Sequence, residues 1–247
     1  VAKSPKDIAA AQRLRYLVFV KELGGDGPLV DHAARLERDT FDPYAGHLML
    51  LDETRSPDDQ VVGVYRLMTT QMAQKAGRFY SEEEYDLRPL RESGRRLLEL
   101  GRSCLHPDYR GGTGMLHLWA GLADYVANHG IEVMFGVASF HGTDADALAG
   151  PLSLLHHRHS APDALRVRAI GPTALNMNMQ AADRLDRLAA VRAMPPLIKG
   201  YLRLGATVGD GAFVDHDFNT VDVCLILEHE AINALQKSIY TKGAARG

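Results

Sequence analysis

The chain has 247 residues, 46 % hydrophobic and 24 % charged, a balance that excludes disordered, collagen-like and low-complexity classes. No apolar run approaches the roughly 20 residues of a membrane span, and a formal net charge of −3 argues against a nucleic-acid binder built on phosphate neutralisation. Two cysteines in apolar stretches, Cys104 and Cys224, and an opening without a charged-then-apolar leader predict a reduced, cytoplasmic protein that at most touches a membrane surface.

In chain order, Ile8–Leu23 carries apolar residues at helical spacing and is stopped by Gly24-Gly25. Arg15 and Phe19, one turn apart, share a face of that helix. Gly46–Asp52 and Val61–Met68 read as strands, followed by a polar stretch, Gln71–Arg96, with little periodicity. Leu97–Leu105 reads as a third strand, then a Gly-rich loop, Arg110–Gly114, feeds a helix that ends at Gly130. Val133–Ser139 is a compact apolar strand. Ala174–Met194 and Leu197–Leu204 read as helices, Ala206–Val214 and Val221–Glu228 as strands, and a terminal helix closes the chain. Strands and helices interleave with no break in composition, which predicts one α/β domain over residues 1–247 with a mixed central sheet flanked by helices.

Chemistry concentrates first at the strand, Gly-rich loop, helix unit of Leu97–Ser139. Backbone amides at such a loop, pointing outward at a helix N-terminus, make a site for a phosphate group. Neither a Gly-x-Gly-x-x-Gly fingerprint nor a Gly-Lys-Ser/Thr P-loop is present. The text His106-Pro107-Asp108-Tyr109-Arg110-Gly111-Gly112 resembles the segment of GNAT acyltransferases that holds the donor's pantetheine and pyrophosphate. Thr113 stands where the full superfamily pattern has Gly. A donor with one phosphodiester, such as an acyl carrier protein, suits a reduced loop better than coenzyme A.

A second constellation is charged: Glu37-Arg38-Asp39-Thr40-Phe41-Asp42, Arg66, and Glu99-Leu100-Gly101-Arg102-Ser103. Glu99 and Arg102, three apart in a strand, point to opposite faces unless a bulge intervenes. As a set, Arg15, Phe19, Asp39, Asp42, Arg66, Glu99 and Arg102 resemble the pattern of acyl-homoserine lactone synthases, GNAT-like enzymes that acylate an amine. Four longer blocks, Phe79–Leu87, Leu98–Cys104, Ala138–Asp144 and Pro195–Ala206 with Asp215–Thr220, resemble the bacterial ornithine Nα-acyltransferases.

That resemblance implies transfer of a 3-hydroxyacyl chain from acyl carrier protein to the α-amine of L-ornithine, giving lyso-ornithine lipid in the cytoplasm or peripherally at the inner membrane. It implies no resident cofactor or metal; the carrier's phosphopantetheine thioester is a co-substrate. Catalysis falls to Glu99, as general base, and Arg102, with Arg15, Phe19, Asp39, Asp42 and Arg66 on the amino acid. Arg66 or Arg102 meets the ornithine carboxylate and Asp39 or Asp42 its δ-ammonium. Ser103, Cys104, Leu105, Arg110, Gly111, Gly112, Gly114, Ser139 and Phe140 line the acyl-pantetheine, with a backbone N–H near Ser103–Leu105 for the oxyanion. The rival readings are acylation of glycine, lysine or tyrosine, a haemolysin-type lipid-binding protein, and a coenzyme A-dependent acetyltransferase.

Other signals carry less. Cys104, without a paired His, reads as a buried small residue. His156-His157-Arg158-His159, taken as a strand, and Asp215-His216-Asp217 lack a matching second half for a metal. His-x-x-x-x-Asp recurs at His47/Asp52 and His141/Asp146, but its partner block is missing. Arg88, Arg91, Arg95 and Arg96 form a basic stretch, by default a solvated surface and, in the sharper reading, a docking patch for the acidic carrier.

Overall fold

The structure, a computed structural model, describes residues 1–232. In chain order it has α1 (Pro5–Arg15), a π-helical segment (Tyr16–Glu22), β1 (Gly46–Leu51), β2 (Val61–Thr69), α2 (Thr70–Ala76), β3 (Tyr85–Asp86), α3 (Arg88–Glu92) and β4 (Leu97–Leu105). It continues through α4 (Gly114–His129), β5 (Val133–His141), α5 (Ala149–His159), β6 (Arg168–Ala169) and β7 (Ala174–Leu175). Then follow α6 (Arg187–Ala193), α7 (Pro196–Arg203), β8 (Thr207–Val208), β9 (Ala212–Asp215) and β10 (Thr220–Glu228). The expected terminal helix lies outside the described residues. The described residues pack as two compact units: Val1–Phe79 with Leu98–Gly130, and Tyr80–Leu97 with residues 131–232.

In the first unit, α1 starts on a capping box. Ser4 Oγ accepts the Asp7 N–H at 3.2 Å and the Asp7 carboxylate accepts the Ser4 N–H at 3.1 Å. The helix then loosens into the π-helical segment and ends at Gly24, whose positive φ of 74° suits glycine. β1, β2 and β4 form an antiparallel ladder, β2 in the middle. Alternation along β2 separates two faces. Val64 packs with Ala11, Leu14, Val18 and Cys104, so α1 covers one face. On the other, Gly63 lies under α4: an added Cβ would meet Leu118 at 2.8 Å and Leu105 at 2.9 Å. α4 buries Leu118, Leu122 and Val126 at helical spacing and stops at Gly130 in the left-handed region.

The β2–β4 register skips from Val64↔Cys104 to Arg66↔Gly101, so Arg102 and Ser103 together oppose Tyr65. This is a β-bulge, and Arg102 has φ +49°. It is the bulge that the Glu99/Arg102 spacing required for the two to share a face.

In the second unit β10 pairs with β5 over nine residues, Thr220↔His141 to Glu228↔Val133, and also with β8 and β9. Four expectations give way here and in the stretch before β4. Gln71–Arg96 is not featureless: it holds α2, β3 and α3 and buries Phe79, Tyr85, Leu87 and Leu90. Elements this short leave no period to read. Ala174–Met194 is helical only at Arg187–Ala193. The buried Ser153 hydroxyl donates to the Met177 carbonyl at 3.0 Å and accepts the Met179 and Gln180 N–H groups at 3.1 and 2.9 Å, giving that backbone a partner outside a helix. Ala206–Val214 splits into β8 and β9, because Gly209 lies against Val167, 2.6 Å from a would-be Cβ, and Gly211 has φ +79°. The histidines 156–159 lie in the last turn of α5, not in a strand.

Candidate active site

Six charged side chains of the first unit close into an alternating ring. Arg15 of α1 binds Glu37, and its Nη1 lies 2.7 Å from Asp42 Oδ1. Arg66 of β2 binds Asp39 and approaches Asp42 at 3.5 Å. Arg102, turned onto this face by the bulge, reaches Glu37 and Asp39, each at 3.2 Å. Each arginine thus meets two of the carboxylates and each carboxylate two of the arginines.

Local structure sets these positions. Asp39 Oδ1 accepts the N–H groups of Phe41 and Asp42 at 2.9 and 3.2 Å, folding the 37–42 loop into a tight turn. Gln12, on the Arg15 face of α1, donates to Asp42 Oδ2 at 2.8 Å, and its carbonyl accepts the Glu37 N–H. His47 Nε2–H donates to the Asp42 carbonyl at 3.1 Å. Arg66 and Arg78 both stack on the buried Phe41 ring, at 5.6 and 4.9 Å.

Electrostatics keep the ring ionised. Burial pushes the Asp39 carboxyl up, but the Arg66 and Arg102 charges outweigh it and hold it well below the usual carboxylate range. Asp42 and Glu37 are lowered in the same contest, through Arg15 for the first and Arg102 with Arg15 for the second. Burial opposes the charge of Arg15, and Glu37 and Asp42 restore it. Burial also lowers His47, which stays neutral.

The ring is closed to solvent except along one edge: Asp39 and Arg102 keep 15 % and 11 % of their side chains exposed, and the other four no more than 4 %. Arg15, expected to touch substrate, is fully buried and positions its neighbours instead. Phe19 is half-buried against the Val64–Cys104 cluster and belongs to the core around α1. Glu99 pairs with Met68 as Gly101 pairs with Arg66, so strand alternation puts it on the ring's face, where it is buried. Glu37 and Phe41, seen in the sequence only as part of the 37–42 block, and His47, seen only in a His-x-x-x-x-Asp match, were not expected as site residues, and Gln12 was missed altogether. Gln12, three residues before Arg15 on a helix, carried the one usable signal.

Downstream of the bulge, Leu105 is buried, and burial pushes the Cys104 thiol up to about 12, so Cys104 offers no thiolate nucleophile. The Ser103 hydroxyl is buried without a hydrogen-bond partner. Arg110 closes the loop onto the Leu105 carbonyl at 3.2–3.3 Å and forks onto Glu22 at 2.5 and 2.7 Å. Gly111 and Gly112 have open space around them, whereas a Cβ on Gly114 would sit 3.0 Å from the Tyr109 carbonyl. Thr113 caps α4 with no side-chain bond, and the first turn carries no acid. Ser139, exposed, and Phe140, buried, lie in the second unit on β5, opposite Asp222 and Val221.

The basic stretch is not a bare patch. Arg88 binds Asp86, Arg91 binds Glu82, Arg95 binds Glu228, and Arg96 lies 3.5 Å from Glu132. Four carboxylates neutralise four arginines, which removes the positive potential on which the docking expectation rested.

The GNAT acetyltransferase domain family matches residues 14–120, the segment from α1 into α4. The L-ornithine N(alpha)-acyltransferase of Rhodobacter capsulatus is 57 % identical over 98 % of this chain and 93 % of that protein. The chain belongs to the L-ornithine Nα-acyltransferase family. The enzyme of the same name from Brucella abortus is 42 % identical over the whole of this chain and 89 % of its own. Among solved structures, the CoA-dependent acyl-homoserine lactone synthase BjaI shares 15 % identity, covering 95 % of this chain and 83 % of that one at a TM-score of 0.52, a likeness of fold. This family member is an acyltransferase with the GNAT α/β fold, a mixed central sheet flanked by helices, as the sequence led one to expect. No helix among the described residues is long and apolar enough to cross a membrane.

Proposed function

We propose that the chain transfers a 3-hydroxyacyl group from acyl carrier protein to the α-amine of L-ornithine, giving lyso-ornithine lipid. The observation that carries this reading is the open Asp39–Arg102 edge of an otherwise sealed ion ring, on the same face as Glu99. Arg102 offers a fork to the amino acid's carboxylate and Asp39 a charge to its δ-ammonium, while Arg15, Glu37, Arg66 and Asp42 hold the two in place. Family membership supports ornithine as the acceptor.

An α-amine with a pKa of about 8 is roughly one-tenth neutral at pH 7, against under one in a thousand for a side-chain amine near 10.4, which favours Nα as nucleophile. The neutral nitrogen attacks the thioester carbonyl and the C–N bond forms. Backbone N–H at the bulge, where Arg102 and Ser103 leave the regular ladder, meets the oxyanion. Glu99 accepts the ammonium proton, directly or through one water, the C–S bond breaks, and the departing thiolate takes that proton back from Glu99, which returns to its carboxylate. The amide forms without an acyl-enzyme.

Mass spectrometry of products from the purified chain, 3-hydroxyacyl carrier protein and equal ornithine, glycine, lysine and tyrosine is expected to show Nα-acylornithine as the dominant species. Dominance of another amide overturns the acceptor. Glu99→Gln is expected to lower kcat about 10²–10⁴-fold with the fold retained; near-normal turnover would remove Glu99 from the base role.

A further inference from the structure

The first unit contains a cleft of about 480 Å³, lined by α1, the π-helical segment, the 31–36 turn, the β1–β2 connection and His106. Three cations face it: Arg13, Lys21 and Arg35. Among the described residues none of the three has a carboxylate partner, and Arg13 Nε is buried with no hydrogen-bond partner at all. The acids in the cleft are Asp58 and Asp59, and Asp59 is already bound by Arg55 at 2.5 Å. The cleft is therefore net positive on a chain whose formal charge is −3.

Arg35 is held there at a cost. The 31–36 turn is closed by reciprocal backbone bonds between Asp31 and Leu36 at 2.8 and 2.9 Å, and Arg35 takes φ +56° at its tip. A left-handed conformation is unfavourable for a non-glycine residue, and Arg lacks the short polar side chain with which Asn offsets it. The cleft also adjoins the donor loop at two points. His106 caps the helical turn that leads into Arg110–Gly114, and Lys21 precedes Glu22, the partner of Arg110.

We propose that this cleft is the docking surface for the acidic carrier protein that delivers the acyl group. The inference rests on the carrier-protein donor reading above. It replaces the neutralised Arg88–Arg96 stretch with three cations that have no competing partner. A cation cluster next to the donor loop raises the encounter rate and orients the carrier so that its phosphopantetheine arm enters along the loop.

The test compares the wild type with the Arg13→Glu/Lys21→Glu/Arg35→Glu triple variant and with the milder Lys21→Glu/Arg35→Glu double, each checked for its melting transition. Donors are 3-hydroxyacyl carrier protein and the same acyl thioester of free pantetheine. The variants are expected to raise the carrier KM about tenfold or more, with kcat and the pantetheine reaction unchanged. An unchanged carrier KM in a folded variant overturns the docking surface while leaving the donor reading intact. So does equal loss with pantetheine, or competitive inhibition by adenosine 3′,5′-bisphosphate that the variants relieve, which would make the cleft a nucleotide pocket. A wild type that uses acyl-coenzyme A but not the acyl carrier overturns the donor reading and the docking surface together.

Discussion

Two regions of this molecule contain arginines matched one-to-one with carboxylates, and they do opposite things. In the ring of Arg15, Arg66 and Arg102 with Glu37, Asp39 and Asp42, charges are buried and each has two partners. In the Arg88–Arg96 stretch the pairs are separate and lie mostly at the surface, with Arg96 66 % exposed. Burial is what differs. Out of water each charge depends on its partners, so losing one strands another. At the surface water takes the place of a lost partner. The ring is thus a rigid, costly frame that presents one edge, whereas the stretch is solvated and self-neutralised.

Breaking the ring tests this most strongly. Arg15→Met nearly keeps the volume but leaves buried Glu37 with Arg102 alone and Asp42 with only the longer contact to Arg66, and is expected to destabilise the fold by about 3–5 kcal/mol in urea titration. A loss under 1 kcal/mol would mean that the ring relaxes or takes in water.

Acid is the next probe. The three ring carboxyls lie below their ordinary values, so the stability they contribute is complete above about pH 5 and drains away as pH falls through 4 and below. His47 acts in the same direction from about pH 6.5 downward, because it resists protonation when folded and not when unfolded. The wild-type urea midpoint should therefore fall more steeply below pH 5 than that of Asp39→Asn, and parallel curves would contradict the ring's role.

At the open edge, Arg102→Lys keeps the charge but loses the fork. It is expected to raise the ornithine KM about tenfold, with a smaller effect on the donor KM; equal KM shifts for both substrates would place Arg102 outside the acceptor site. Smallest is the surface pair: Arg96→Ala should cost about 0.5 kcal/mol and nothing in 1 M salt. A salt-independent loss would show that the stretch is structural after all.

Much of this was open to a reader of residues. The strands Gly46–Leu51, Val61–Thr69 and Val133–His141 and the helix Gly114–His129 follow from runs of apolar residues and from Gly24, Gly114 and Gly130 as punctuation. Asp39, Arg66 and Arg102 were legible as a charged set. Their division of labour was not, because Arg15 and Asp39 read alike until burial separates them. The stretch 174–186 misled for a related reason: Ser153, on another element, supplies the bonds that an isolated segment would have found in a helix.

What the residues alone determined is whatever depends on near neighbours: periodicity, caps, turns, and the likeness of long blocks to a family. What only tertiary structure decided is which charges meet. Arg15 and Glu37 are 22 positions apart and Arg102 and Glu37 are 65, and a one-residue bulge decides whether Arg102 faces them at all. Electrostatic pairing is a property of distance in space and of exclusion from water. Neither quantity exists until the chain has folded.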